Sequence, residues 1–304
     1  MRSNLRSQPY SYFVKTNRTA RGIIAAAFAA LASACSPVGV LNALVPEEGY
    51  VATTDIAYGE DPRHKLDVYR PRPGAEAAPA AGYPVVVFFY GGSWNRGDRH
   101  DYKFVAEALT SKGFVVVLAD YRLYPQVRYP DFLVDSARAL AWARRNAATH
   151  GGNPGRLFVM GHSAGAYNAA MLALEPRWLE AQGMNPSQLS GWIGLAGPYD
   201  FFPPTNPEVK PVFHEPDYPK GAQPIEHASG RSPRVFLGAA ANDSVVNPER
   251  NTGHLAAALR AAGTPVTVKF YEHVNHITVA AAIARPLRGL APVLEDVSAF
   301  IAAP

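Results

Sequence analysis

The chain has 304 residues, 48% of them hydrophobic and 18% charged, an ordinary globular composition with material for one large core. Its formal charge of +4 does not signal a nucleic-acid surface, because Arg2, Arg6, Lys15, Arg18 and Arg21 fall within residues 1–34, which hold no acid; taking those five from the 29 basic residues leaves 24 against 25 acidic ones. One cysteine excludes an internal disulfide.

The first segment, 1–34, reads as an export signal. A cationic stretch to Arg21 precedes an apolar one, Ile23 to Ala34. That run is too short to cross a hydrocarbon layer of roughly 30 Å as a helix. It closes on Ala32-Ser33-Ala34, a small-residue cleavage pattern, directly before Cys35. No adjacent arginine pair is present within residues 1–34, which favours the general secretory route. Leu31-Ala-Ser-Ala-Cys35 resembles a bacterial lipoprotein signal, although the usual leucine three before the cysteine is Ala32. The expectation is a periplasmic or outer-membrane lipoprotein held through acylated Cys35; a soluble secreted protein and an uncleaved anchor are the alternatives.

Residues 35–54 read as a tether, and 55–304 as a single folded domain. Asp55 to Tyr58 and Lys65 to Tyr69 are expected to be short strands, followed by an exposed Pro/Ala/Gly loop over 71–84. Apolar strand-like runs then alternate with helical segments. The expected strands are Val85 to Phe89, Phe114 to Leu118, Leu157 to Met160, Trp192 to Leu195, Val235 to Leu237 and Val266 to Tyr271. The expected helices are Asp101 to Ser111, Phe132 to Thr149 with Asp131 as its cap, Ala166 to Leu174, Arg250 to Ala262 and Leu287 to Ile301. Apolar runs without alternation mean strands buried on both faces, hence a mostly parallel central sheet flanked by helices. Ligands of such sheets bind beyond the carboxyl ends of the strands. The Pro- and aromatic-rich stretch 198–232 breaks the rhythm and reads as a surface excursion, or as a lid or wall over a pocket.

Gly161-His162-Ser163-Ala164-Gly165 sits between an apolar run and an Ala-rich helical segment, the strand–turn–helix setting of a nucleophile elbow. The pentapeptide alone is weak evidence, since a Gly-rich turn with an incidental serine would look the same. A serine hydroxyl needs a base, the base needs an orienting carboxylate, and the developing oxyanion needs backbone donors. Each role has a candidate. Tyr90-Gly91-Gly92-Ser93-Trp94 follows a buried strand, so the N–H groups of Gly92 and Ser93, with that of Ala164 after the nucleophile, form a candidate oxyanion hole. Glu272-His273-Val274-Asn275-His276 follows the last strand, and His276 is preferred as base over His273. Asp243 lies in the loop after the penultimate strand and is the preferred acid, although it could simply cap a turn. Asp200 is its rival. Asp120 precedes Ser163, breaks the expected order and is assigned to structure; His162 is expected to pack beside the elbow. The remaining histidines show no metal-ligand spacing, and no dinucleotide or phosphate loop is present, so neither metal nor cofactor is expected.

These segments together resemble the α/β-hydrolase carboxylesterases, in particular the bodipy-feruloyl-esterase-like branch near the hormone-sensitive-lipase and arylformamidase groups. The resemblance runs from about Asp55 to the C-terminus. It rests on Tyr90-Gly91-Gly92-Ser93-Trp94, Asp120-Tyr121-Arg122-Leu123-Tyr124-Pro125, Gly151-Gly152-Asn153-Pro154, Gly161-His-Ser-Ala-Gly165, Asn242-Asp243 and Asn275-His276. It implies an α/β-hydrolase fold, a Ser163–Asp243–His276 triad and a small-molecule ester substrate. The oxyanion loop of these families begins with histidine; here it begins with Tyr90, so the loop must be supported differently. An arylformamidase using the same triad and a non-catalytic hydrolase-fold binding module are the competing readings.

Overall fold

The computed structural model describes residues 37–74 and 78–304. Residues 1–34, expected to be an export signal, and Cys35 lie outside the described residues. Residues 41–304 form one compact unit. A helix, Pro37–Ala43, opens the described chain. Among the described residues no helix is long and apolar enough to cross a membrane.

Among the described residues eight strands make a single sheet: β1 (Tyr50–Ala57), β2 (Lys65–Pro71), β3 (Tyr83–Phe89), β4 (Val115–Ala119), β5 (Gly152–His162), β6 (Gly191–Leu195), β7 (Val235–Ala240) and β8 (Val266–Tyr271). Their order across the sheet is β1-β2-β4-β3-β5-β6-β7-β8. β1 and β2 pair antiparallel, as do β2 and β4; every other pairing is parallel. The five residues of β4 and β6 and the six of β7 are wholly buried, which explains why they read as unbroken apolar runs. The helix Lys103–Thr110 packs on Val293–Ala302, and Asp131–Asn146 packs on Ala164–Leu174. Chain order and sheet order together give the expected mostly parallel α/β-hydrolase fold.

Several boundaries differ from expectation, each for a local reason. β1 begins at Tyr50, so the tether yields its last residues to the sheet; this outer strand is largely exposed and polar, and Tyr50 anchors it edge-on to Tyr69 at 5.3 Å. Asp131 is not a cap but the first helical residue after Pro130, where its charge complements the helix dipole. The closing helix is Val293–Ala302, shorter than expected, because Pro292 at its start cannot continue an earlier helix and residues 285–287 form a separate 3-10 turn. The segment expected as helix from Arg250 opens with a wide π turn, Glu249–Gly253, and becomes α-helical at His254–Ala261.

The register places the site. β3 pairs with both β4 and β5, so the connections leaving β3 and β5 run to opposite sides and open a crevice at the carboxyl ends. Phe89 pairs with Gly161, so the loop after β3 and the turn after β5 emerge side by side. Likewise Ala240 pairs with Tyr271, which brings the loops carrying Asp243 and His276 out together.

Candidate active site

Ser163 stands between β5 and the helix Ala164–Leu174 with φ 53° and ψ −121°, a backbone conformation L-residues avoid. The turn is held because the Ser163 N–H donates to the Leu195 carbonyl at 2.8 Å. Its neighbours must lack a Cβ. One on Gly161 would lie 2.1 Å from the Gly165 carbonyl oxygen, and one on Gly165 would lie 2.0 Å from that of Phe89. The two glycines thus let β5, its helix and β3 close up around a single half-buried hydroxyl.

His276 reaches that hydroxyl. Its Nε2 lies 2.9 Å from Ser163 Oγ, and its Nδ1 lies 2.8 Å from Asp243 Oδ2. Both His276 and Asp243 are buried. The other carboxylate oxygen of Asp243 accepts the N–H groups of Val245 and Val246 at 2.8 and 2.9 Å. The capping reading and the triad reading of Asp243 are therefore both met, one by each oxygen. Burial pushes the Asp243 carboxyl up, but the bond from His276 and the two backbone donors outweigh it and hold the pKa below the ordinary value. Asp243 stays ionised and can fix His276 with its proton on Nδ1 and a bare Nε2 toward serine.

The rivals lie elsewhere. His273 is exposed on the same loop. Asp200 binds His254 Nδ1 at 2.9 Å and approaches Arg250 at 3.6 Å. Asp120 is buried, pairs with the Arg99 guanidinium and accepts the Arg99 N–H at 2.9 Å.

Ser93 and Ala164 line a cavity of about 500 Å³ together with Ser163 and Asp243. Ala164 opens its helix, so its N–H has no acceptor one turn back and is available to a ligand. Gly92 lies one residue behind Ser93 in the loop, with φ 132°; a Cβ there would meet the Arg96 carbonyl oxygen at 2.2 Å. The structure answers what supports a loop beginning with tyrosine. The Arg63 guanidinium donates to Tyr90 Oη at 2.6 Å and to the Gly97 carbonyl at 2.9 Å, spanning both ends of the loop. The Tyr121 hydroxyl donates to the Tyr90 carbonyl at 2.8 Å, and the two rings stack at 4.7 Å. Trp94 Nε1 donates to Asn168 Oδ1 at 3.0 Å, tying the loop to the helix behind the nucleophile. Sequence reasoning missed Arg63 and Asn168, since neither lies in a motif or at a telling spacing.

The stretch 198–232 is a wall of this cavity. Phe201, Pro204, Thr205, Asn206 and Val209 line it. It is held down by Gln223, whose Oε1 accepts the Phe201 and Phe202 N–H groups at 2.7 and 2.8 Å, and by Phe213, packed edge-on against Trp94 at 4.9 Å. Among the described residues one group has metal-ligand spacing, Asp55, Asp67 and His100. The Arg99 guanidinium already pairs with both carboxylates, so that cluster holds an internal cation.

Comparison with known proteins agrees with this geometry. The chain is 28% identical over 259 residues to a probable isoprenylcysteine alpha-carbonyl methylesterase of Oryza sativa subsp. japonica, covering 77% of this chain and 59% of the relative. It is 31% identical over 248 residues to esterase LipQ of Mycobacterium tuberculosis, covering 76% of this chain and 58% of that one. It thus spans less than two thirds of either relative. Among solved structures, a bacterial heroin esterase superposes with a TM-score of 0.69 at 22% identity, covering 91% of both chains. Thermogutta terrifontis esterase 2 does so with 0.70 at 23% identity, covering 85% of this chain and 98% of its own. Residues 66–259, well over half of the chain, match the BD-FAE family throughout the segment that carries the oxyanion loop, the elbow and Asp243, and the chain belongs to that family of α/β-hydrolases.

Proposed function

We propose that the protein is a serine carboxylic-ester hydrolase acting on small to medium acyl esters through an acyl-enzyme. The observation that carries this reading is the unbroken line Asp243–His276–Ser163, with bonds of 2.8 and 2.9 Å, opening onto a cavity. The esterase names of the relatives support it. Ser163 Oγ attacks the ester carbonyl while His276 Nε2 takes its proton, and Asp243 stabilises the resulting imidazolium. The N–H groups of Gly92, Ser93 and Ala164 receive the oxyanion. As the tetrahedral adduct collapses, His276 returns the proton to the departing alcohol. Water then gives its proton to the same histidine as it attacks the acyl-enzyme; collapse of the second tetrahedral adduct breaks the bond to Ser163 Oγ, His276 returns the proton to that oxygen, and the acid leaves.

The purified protein should hydrolyse p-nitrophenyl acetate and butyrate, and a fluorophosphonate probe should label one serine, mapped by peptide mass to Ser163. Absence of both turnover and labelling would discard the proposal. Pocket size gives a second expectation. Phe201 stacks on Trp94 at 6.2 Å and lines the cavity, so Phe201→Ala opens room for a longer acyl chain. The ratio of kcat/KM for p-nitrophenyl octanoate over acetate should rise about tenfold in this variant, the effect of gaining apolar burial for one or two methylene groups. An unchanged ratio would place the acyl chain elsewhere.

A further inference from the structure

His162, inside the elbow, has so far only a place, and Tyr102 has none. Together they join the two halves of the site. His162 Nε2 lies 2.8 Å from the backbone carbonyl of His276, and its Nδ1 lies 3.0 Å from Tyr102 Oη. The Gly91 N–H points to the same phenol oxygen at 3.4 Å, the longest link of the chain. A carbonyl oxygen can only accept, so the His162 proton sits on Nε2. Burial, and then the neighbouring His276, push the His162 pKa down to about 3, so the ring is neutral at assay pH and its Nδ1 is a bare acceptor. Tyr102, pushed up to about 12 by burial, keeps its hydroxyl proton and gives it to that nitrogen. The Tyr102 oxygen then has lone pairs left for the Gly91 N–H. Each direction in the chain is set by the one before it, with no rotor left free.

We infer that Tyr102 and His162 are positioning residues that tie the oxyanion loop to the main chain of the general base, so that Gly91 and His276 are held in register across the nucleophile. The inference rests on the serine-hydrolase reading above. One end of the tie sits next to Gly92 and Ser93, and the other holds the backbone from which the His276 imidazole reaches Ser163. Losing the tie leaves the substrate pocket's walls intact but lets the base and the oxyanion donors drift apart. Small misplacements of this kind reduce turnover more than binding.

The test uses the full chain and p-nitrophenyl acetate, with active sites counted by the pre-steady-state burst so that misfolded protein does not enter kcat. Tyr102→Phe should lower kcat about tenfold with KM within about twofold, the size expected from unpairing one buried bond. His162→Leu should lower kcat about a hundredfold, because it removes both links. His162→Gln, whose amide N–H can still reach the His276 carbonyl, should recover most of that loss. The double variant Tyr102→Phe/His162→Leu should be no worse than His162→Leu alone, because the two residues act as one unit. Wild-type kcat in both single variants, equal losses in the Gln and Leu variants, or losses that multiply in the double variant would each overturn the tie. Ser163→Ala distinguishes the levels: if it is inactive while Tyr102→Phe and His162→Leu turn over normally, only the tie has failed. Retained turnover in Ser163→Ala would sink both readings.

Discussion

Ser163→Ala should reduce esterase turnover by about a millionfold, the loss that follows removal of a triad serine, and should do so without unfolding the protein. The activity loss follows from chemistry, since alanine has no nucleophile and no acyl-enzyme can form. The intact fold follows from what Ser163 touches. Its hydroxyl has one hydrogen-bond partner, His276, while the contact that fixes the turn, from its N–H to the Leu195 carbonyl, belongs to the main chain. Alanine also suffers little more than serine from φ 53° at this position. A melting temperature within a few degrees of wild type, about 1 kcal/mol or less in stability, is therefore expected. Hydrolysis by the variant above the background of about one thousand to ten thousand times the uncatalysed rate, which binding and oxyanion donors alone sustain, would remove Ser163 from the mechanism.

What the sequence revealed of this fold follows from where its signals come from. The inner strands β3 to β7 stood out because burial on both faces demands an uninterrupted apolar run. Of β1 only the end from Asp55 was read as a strand, because an outer strand with Ala52, Thr53 and Thr54 in its middle carries no such demand. The nucleophile turn was legible because its backbone admits only glycine at two fixed offsets, and the distances at Gly161 and Gly165 are that requirement in three dimensions. The loops that bear the remaining candidates were legible from chain order. Within the loop after β8 the sequence favoured His276 over His273 only by its place next to the following helix. His273 and His276 are close in sequence, and only the path of the chain after β8 buries one and exposes the other. Partners that meet only after folding left no pattern at all. Tyr102 and His162 are 60 residues apart in the chain, as Arg63 and Tyr90 are 27 apart, and no periodicity links either pair.

Asp243→Asn should lower kcat about ten thousandfold, whereas Asp200→Asn should leave it within about threefold. The two carboxylates competed for the same role in the sequence, and their surroundings now separate them. An asparagine at 243 is nearly the same shape and can still accept the Val245 and Val246 N–H groups, so the loop should keep its turn. What changes is the group facing His276. An amide NH2 toward Nδ1 can only donate, so the imidazole must place its lone pair on Nδ1 and its proton on Nε2. That proton then points at Ser163 Oγ, and the base is lost although every atom is close to its original place. A neutral amide also removes the charge that would stabilise the imidazolium during each proton transfer. Asp200 has no such leverage, since it pairs with His254 and Arg250, and its loss unsettles those two side chains without touching His276. Comparable losses in the two variants would mean that electrostatics of the whole pocket matter more than the single bond to Nδ1. A full loss at Asp200 with none at Asp243 would reverse the assignment of the acid.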